Sequence, residues 1–553
     1  MRRFSLLSFA LLIVLLVAPR LSASEAPLGH QDFYPSPERP VGFRGDGNGF
    51  FPGADPVTTF REGTAETIQV TIRDRKGRDK KQKLWAFTDS QAVNICWKTE
   101  MPGWANAMPI VVGNRVFTMA EPHTLVCVDA STGEILWQRA NNPFLFDGVP
   151  AAKAEQLQEL LYLARASFQL SRLVTPGRWG SARKYDPRSA EGHEMLTKAI
   201  ANLKQMQATA QGIDAGLAAA FDPMVAAFQQ WMTDGHGDSP KAPNDFAEAV
   251  GKTFQIPPTN QWTSMTGFTM PVPVSDGRHV FATIGQGQAV CYDLDGQLVW
   301  GRVFKGTHHL RVHHVASPLL IGDLFVGQFF DKLRALDKAT GKTVWEADLS
   351  IGGGYNAGSH KHLRLADRER TVDVIVTTFG VVLRAADGKV LGKLPFHHGK
   401  EGGGPSIIGQ GDVIVFEKRQ VEGQKKGKGY WRGRLLLEGE TVDLIDIQPL
   451  EGREKESGGP PATPILADGR IIAGSGVWDL ATGKALRASK RSGDLSGVGW
   501  ASGVMVGGDR VIWAYDGSSK GYSRDRPDGL TVMNFRVYDL SAREGWKVLS
   551  DGN

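Results

Sequence analysis

Eight of the thirteen histidines in this chain fall into three short stretches. His308, His309, His313 and His314 stand in HHLRVHH, His360 and His362 in HKH, and His397 and His398 form a pair. Neutral imidazole binds zinc, copper, iron or nickel, so His313 with His309 or His360 offers a transition-metal site. His308, His314 and His362 complete that candidate set. The competing reading is a group of surface or strand-edge imidazoles hydrogen-bonded to backbone, because no known metal-motif spacing accompanies them. Cysteine chemistry is scarce: Cys96, Cys127 and Cys291 are the only three, with no CxxC and no adjacent pair. Cys127 and Cys291 occupy one position in two copies of a repeat. Equivalent strands stand too far apart for the Cα separation of about 4.4–6.8 Å that a disulfide needs, and both read as buried small hydrophobes. The glycine-rich Ile351–Tyr355 and Gly402–Pro405 lack the Lys-Ser/Thr of a phosphate loop, and Gly177–Ser189 offers a Ser without a nucleophile elbow.

The elements that must position these residues repeat. Six copies of one unit occur: Leu125–Trp137 (LVCVDASTGEILW), Ala289–Trp300, Lys332–Trp345, Val381–Leu394, Gly476–Leu486 and Phe535–Trp546. Each is an apolar strand, a tight turn on Asp and Gly, and a second apolar strand. Asp129, Asp293, Asp337, Asp479 and Asp539 are placed to accept a hydrogen bond from backbone two residues on. Gly133, Gly296, Gly341 and Gly483 supply the positive φ that finishes such a turn. Trp137, Trp300, Trp345 and Trp546 close the unit, each able to bury an indole against a neighbouring sheet while its N–H meets a carbonyl. A second hairpin precedes each unit, as in Met108–Ala120 and Ser317–Phe329. Together the two hairpins make a four-stranded antiparallel sheet, the blade of an all-β propeller.

The register runs through Pro109, Pro273, Pro318, Pro405, Pro464 and Val504, in steps of 164, 45, 87, 59 and 40 residues. The step of 87 spans two blades, the middle one being Tyr355–Leu391 without its Pro, and the total is seven. The step of 59 carries the polar loop Val421–Gly429 inside the fifth blade. A hairpin over Thr67–Phe87 leaves eight blades as the alternative. In such a ring the first strands line the central channel, so the histidines before them would gather near one mouth.

The step of 164 contains something else. Over residues 141–262 the apolar period changes from 2 to about 3.6. Ala151–Leu173, Glu191–Ile213, Ala215–Met232 with Pro223 as an interruption, and Asp245–Phe254 read as a helical insertion between the first two blades, packed helix on helix. Residues 94–140 read as a ring-closing strand and the first blade, 263–553 as the remaining blades, and 24–93 as a lead-in. Asn94–Gly103 (NICWKTEMPG) has the look of a last strand, placed to complete the seventh sheet beside Phe535–Asp539.

Arg2 and Arg3 followed by the apolar Phe4–Ala18 and a small-residue stretch ending near Ala23 read as a signal peptide over residues 1–23. Its core is shorter than the roughly 20 residues of a membrane span, and no later segment is long enough, so an exported periplasmic or extracellular protein is expected. The net charge is +5 in 553 residues. The basic run Arg73–Lys83 is diluted by two Asp and reads as a solvated hairpin tip, so no nucleic-acid partner is expected.

The units Asp-x-x-Thr-Gly-x-x-x-Trp resemble the pyrrolo-quinoline quinone (PQQ)-like repeat of quinoprotein alcohol dehydrogenase-like propellers. The lead-in FRGDGNGFFPGADP (Phe43–Pro56) with CWKTEMPGWANAMPIV (Cys96–Val111) is similar to exported bacterial members of unassigned function. The resemblance implies, for the enzymes, a quinone on a Trp floor, calcium held by carboxylate and amide oxygens, a catalytic Asp and often a disulfide of adjacent cysteines. No adjacent cysteines exist here, and no residue-by-residue match transfers a calcium ligand or catalytic Asp. The expectation is a binding or assembly platform for a protein, peptide or glycan in the cell envelope. A PQQ- and calcium-dependent dehydrogenase of alcohols or sugars is the alternative.

Overall fold

A computed structural model describes residues 26–59, 64–73, 79–88, 93–160, 186–219, 221–235, 267–306, 316–349, 358–368, 370–395, 406–418, 429–452, 463–473, 476–487, 504–516, 533–539 and 547–552. Seven sheets of four sequential antiparallel strands follow one another. They are blade 1 (Ile110–Ala140), blade 2 (Val274–Val303), blade 3 (Leu319–Asp348), blade 4 (Lys361–Lys393), blade 5 (Ile408–Pro449), blade 6 (Ile465–Arg487) and blade 7 (Val504–Gly552). First strands of consecutive blades stand side by side, as in blades 2 and 3 and from blade 4 round to blade 7. This is a seven-bladed β-propeller. The fourth blade is present without its Pro, as expected from the double step.

A blade is buried on both faces, which explains strands such as VFATI that read as continuous apolar runs. In blade 2, Val280, Ala282 and Ile284 pack toward blade 1, while Phe281 packs toward blade 3. Only the outer strand faces solvent. There Trp137, Trp300 and Trp345 are the buried positions, flanked by exposed Leu136, Val299 and Val344.

Each of these indoles wedges into the next blade. Trp137 Nε1 donates to Leu294 O at 3.0 Å, Trp300 Nε1 to Lys338 O at 2.8 Å, and Trp345 Nε1 to Ala385 O at 2.9 Å. Each ring lies flat on the turn glycine. A Cβ on Gly296 would stand 2.8 Å from Trp137 Cδ2, and one on Gly341 2.6 Å from Trp300 Cδ2. Those glycines also have φ of 82° and 66°, so both shape and backbone demand glycine there. The turn aspartates hold their side: Asp129 Oδ1 accepts from Ser131 N and Thr132 N, Asp337 Oδ1 and Asp479 Oδ1 from the Thr N–H three residues on, and Asp293 Oδ1 from Asp295 N. Gly483 is the exception: a Cβ there would stand 3.2 Å from Arg432 Cδ instead of meeting an indole. Asp539 ends the third strand of blade 7, and Trp546 lies outside the described residues.

One expectation about closure is corrected, and the eight-bladed alternative is excluded. Lys547–Gly552 is the fourth strand of blade 7, paired with Met533–Asp539, so Asn94–Gly103 is not needed to complete that sheet. Instead Trp97 supplies a wedge to blade 1, its Nε1 donating to Ala130 O at 2.8 Å and its ring lying on Gly133. At the inner edge of blade 7, Phe50–Phe51 runs parallel to Val504–Gly507. The hairpin of Thr64–Arg73 with Asp79–Thr88 is a separate two-stranded sheet, not an eighth blade.

Between blades 1 and 2 the chain turns helical, with Pro143–Phe146, residues 151–160, Ala190–Gln211, Ala215–Ala219 and Asp222–Asp234. Leu196, Ala199, Leu203, Met206 and Ala210 form one buried stripe, packed with Phe221, Met224, Phe228 and Trp231. Pro223 lies in the first turn of its helix, where a missing N–H costs nothing, so it starts a helix instead of interrupting one. The fourth helical piece expected at Asp245–Phe254 and the fifth-blade loop lie outside the described residues.

Trp345→Ala should lower unfolding free energy by about 3–5 kcal/mol in urea titrations. Val344→Ala, the exposed neighbour, should stay within about 0.5 kcal/mol of wild type.

Candidate binding site at the hub and the junction face

Antiparallel order gives the ring two unlike faces. One carries the turns between strands 1 and 2 and between strands 3 and 4. The other carries the turns between strands 2 and 3, every blade-to-blade connection, and the helical insertion. We call these the turn face and the junction face.

The lead-in covers part of the turn face. Tyr34 lies against Gly113 of blade 1, and its hydroxyl donates to Gly277 O of blade 2 at 2.9 Å. Asp55 pairs with Arg510 of blade 7. Between these points the chain crosses the hub. Val41 pairs with Ser275 of blade 2. Lys361 Nζ of blade 4 donates to Asp46 O at 2.7 Å, and Gly409 N of blade 5 donates to Asn48 Oδ1 at 3.3 Å. Arg44 Nη1 donates to Pro464 O at 2.7 Å beside blade 6, Leu466 N donates to Asn48 O at 3.1 Å, and Val506 N of blade 7 donates to Gly49 O at 2.9 Å. A stretch this short touches the first strands of five blades only by lying across the axis. Arg44 and Lys361 are each 5% exposed. Burial pushes the Arg44 guanidinium down to about 10 and lowers the Lys361 ammonium as well, against the pull of Asp46 on both. Asp46 is itself tied down by Asn48, whose N and Nδ2 donate to its two carboxylate oxygens.

Toward the junction face the hub is belted by hydroxyls. Val272 N donates to Ser317 Oγ, Ser317 N to Ser359 Oγ, Ser359 N to Ser406 Oγ, and Ser406 N to Thr463 Oγ1, at 2.9–3.2 Å. One residue at the start of each of blades 3 to 6 thus holds the backbone leading into the blade before it. These residues escaped the sequence reading, although Ser317 and Thr463 stand just before register prolines and Ser406 just after one.

The histidine candidates part company. His308, His309, His313 and His314 lie outside the described residues, as do His397 and His398. His360 is 5% exposed, with Nε2 bonded to Gln328 Oε1 at 3.1 Å and Nδ1 accepting from Thr378 N at 3.4 Å. Both ring nitrogens are therefore engaged, and burial pushes the imidazole down to about 4. His362 Nε2 bonds Asp373 Oδ1 at 2.8 Å; burial lowers its pKa and Asp373 opposes the change. Among the described residues no three His, Cys, Asp or Glu gather as metal ligands.

The root of the insertion is a second polar junction. Asn141 donates from N and Nδ2 to His123 O of blade 1, while Gln288 Nε2 and Tyr292 Oη of blade 2 donate to its O and Oδ1. Asn142 then caps the first helix through Phe144 N.

Residues 80–174, from the lead-in hairpin through Trp97 and blade 1 into the insertion, match the family model described as outer membrane protein assembly factor BamB. The match covers about a sixth of the chain. With the repeat turns, the wedges and the seven sheets, it supports a β-propeller of PQQ-like repeats. Solved structures overlap it at low identity. The computationally designed Ika8 protein shares 11% identity over 82% of this chain and 88% of its own, with a TM-score of 0.38. BamB from Moraxella catarrhalis shares 14% over 49% and 69%, with a TM-score of 0.30. The C-terminal WD40 domain of Sif2 shares 14% over 50% and 69%, with a TM-score of 0.29. Among curated proteins no relative matches. No helix among the described residues is long and apolar enough to cross a membrane.

The buried His360 sets a pH dependence. Below its ordinary value of 6.5 the unfolded chain takes up a proton that the folded imidazole refuses until about 4. Its stabilising contribution is therefore complete above pH 6.5 and is lost as pH falls toward 4, by roughly 3 kcal/mol. Urea midpoints at about pH 7 and about pH 5 should converge in His360→Gln relative to wild type.

Proposed function

We propose that this PQQ-like propeller is an exported binding or assembly platform of the cell envelope, presenting its junction face to a macromolecular partner. The observation that carries the reading is the lead-in lying across the hub from the turn face. With Tyr34, Val41, Asp46, Asn48 and Asp55 engaged there, the junction face keeps the long connections and the insertion, the features on which propellers build recognition. The matched family is named for outer membrane protein assembly, which supports an envelope role without naming this chain's partner.

The quinone alternative fits the residues poorly. A quinone with calcium calls for a flat aromatic floor and clustered oxygen ligands near the axis. Here the axis holds the lead-in with Arg44, Asp46, Asn48 and Lys361, and the wedge indoles stand out between blades on the outer strands. Cys96, Cys127 and Cys291 are free, the last two buried in separate blades.

A photo-crosslinking residue placed at Asp331, on the junction face, should give adducts with envelope components. The same residue at Asp323 on the turn face, whose side chain is 94% exposed, should give none. Adducts confined to Asp323, or dye-linked alcohol oxidation by protein reconstituted with PQQ and calcium, would overturn the proposal.

A further inference from the structure

The lead-in hairpin stands outside the seven blades. Its strands, Thr64–Arg73 and Asp79–Thr88, pair along their whole length, with Thr64 opposite Thr88 and Arg73 opposite Asp79. Residues of a strand alternate between faces, and residues opposite one another share a face. One face of the ribbon therefore takes Ile68, Val70, Ile72, Leu84 and Ala86, with Ile68 opposite Leu84. The other takes Phe87 and Trp85 near the root, then Lys83, Lys81 and Arg73 farther out. Among the described residues no other strand or helix packs along this ribbon. Its root is fixed to the turn face. Asp55 and Pro56 O accept from Arg510 Nη1 of blade 7, Thr59 O accepts from Asn94 Nδ2, and Trp97 seats on Ala130 and Gly133 of blade 1. Strands of ten residues give it a length of about 33 Å.

A two-stranded hairpin alone is at best marginally stable in water, so an aliphatic face on one calls for a cover. Charge selects the cover. The outer half of the strands carries Arg73, Lys80, Lys81 and Lys83 against Asp79 alone, a surplus that is drawn to an anionic surface. A nucleic acid would meet the cations but offers nothing to Ile68, Val70 and Ile72. A second copy of the ribbon would match the aliphatic face but set cations against cations. An anionic bilayer answers both, with phosphates for the cations, an acyl boundary for the aliphatic residues, and an interfacial layer that suits Trp85 and Phe87. The basic run by itself reads as a solvated tip; the register adds the aliphatic face, for which solvation gives no reason.

We infer that the paired strands Thr64–Arg73 and Asp79–Thr88 dock this protein onto an anionic lipid surface, with Ile68, Val70, Ile72 and Leu84 at the acyl boundary and Arg73, Lys80, Lys81 and Lys83 among the headgroup phosphates. No partner at the junction face is involved, so this inference and the platform reading can fail separately. The test is cosedimentation of purified protein lacking residues 1–23, so that the apolar leader contributes nothing, with phosphatidylcholine vesicles with and without phosphatidylglycerol. Binding should require phosphatidylglycerol and fade as salt rises. Lys80→Glu, Lys81→Glu and Lys83→Glu together should weaken it by about tenfold or more. Val70→Thr with Ile72→Thr, which keeps β-branched strand formers, should weaken it by about tenfold with the melting temperature unchanged. Absence of binding to phosphatidylglycerol vesicles would overturn the inference, as would equal binding to neutral vesicles or binding that survives both sets of substitutions. A lowered melting temperature for the Val70→Thr, Ile72→Thr protein would also overturn it, since the propeller itself would then cover that face. Retention on a dT oligonucleotide that exceeds vesicle binding and ignores the Val70 and Ile72 substitutions would assign the cations to nucleic acid instead.

Discussion

The indole that ends one blade and the glycine that turns the next form a single device, and the ring depends on it. Sheets stacked about an axis share no hydrogen-bond ladder with their neighbours, so their spacing must come from side chains. The bare glycine lets the indole lie directly on the turn backbone, where a Cβ would collide with the ring. Its N–H fixes the lateral position through one carbonyl. Arg139 and Arg302, two residues beyond their indoles, add a bond from Nε to the carbonyl of the same glycine. Where the device is missing, the blades meet differently. Between blades 4 and 5, Gly392 stands in the tryptophan slot and Val442 O comes up against it. Beside them Arg370, Arg384 and Lys389 converge on Glu440, holding that carboxyl down at about 2.

The same device explains why the lead-in is part of the propeller. Blade 1 needs a wedge, and Trp97 provides it, with Thr99 Oγ1 bonding Gly133 O in the place Arg139 and Arg302 take elsewhere. The lead-in therefore acts twice, once on the rim and once across the hub. That arrangement commits part of the turn face to structure.

Much of this was legible. Blade number, turn aspartates and wedge indoles are local patterns, set by spacing within about a dozen residues, and a sequence records them directly. The hub was not legible, because its bonds join residues hundreds of positions apart, as Arg44 to Pro464 and Asn48 to Gly409 do. The ring-closing strand misled for the same reason: NICWKTE has the composition of a last strand and supplies a last strand's indole, but the seventh sheet has its own fourth strand. Histidine clustering was a true pattern with a plainer cause at HKH, where His360 and His362 are held by Gln328 and Asp373.

The stretch across the hub has a temporal consequence. Residues 41–51 precede every blade they bind, and their anchors lie in blades 2, 4, 5, 6 and 7, the last of them near Val506. Loop closure over such a separation is slow and entropically opposed. The segment's full set of bonds exists only once blade 7 is in place, so seating it and closing the ring belong to one step.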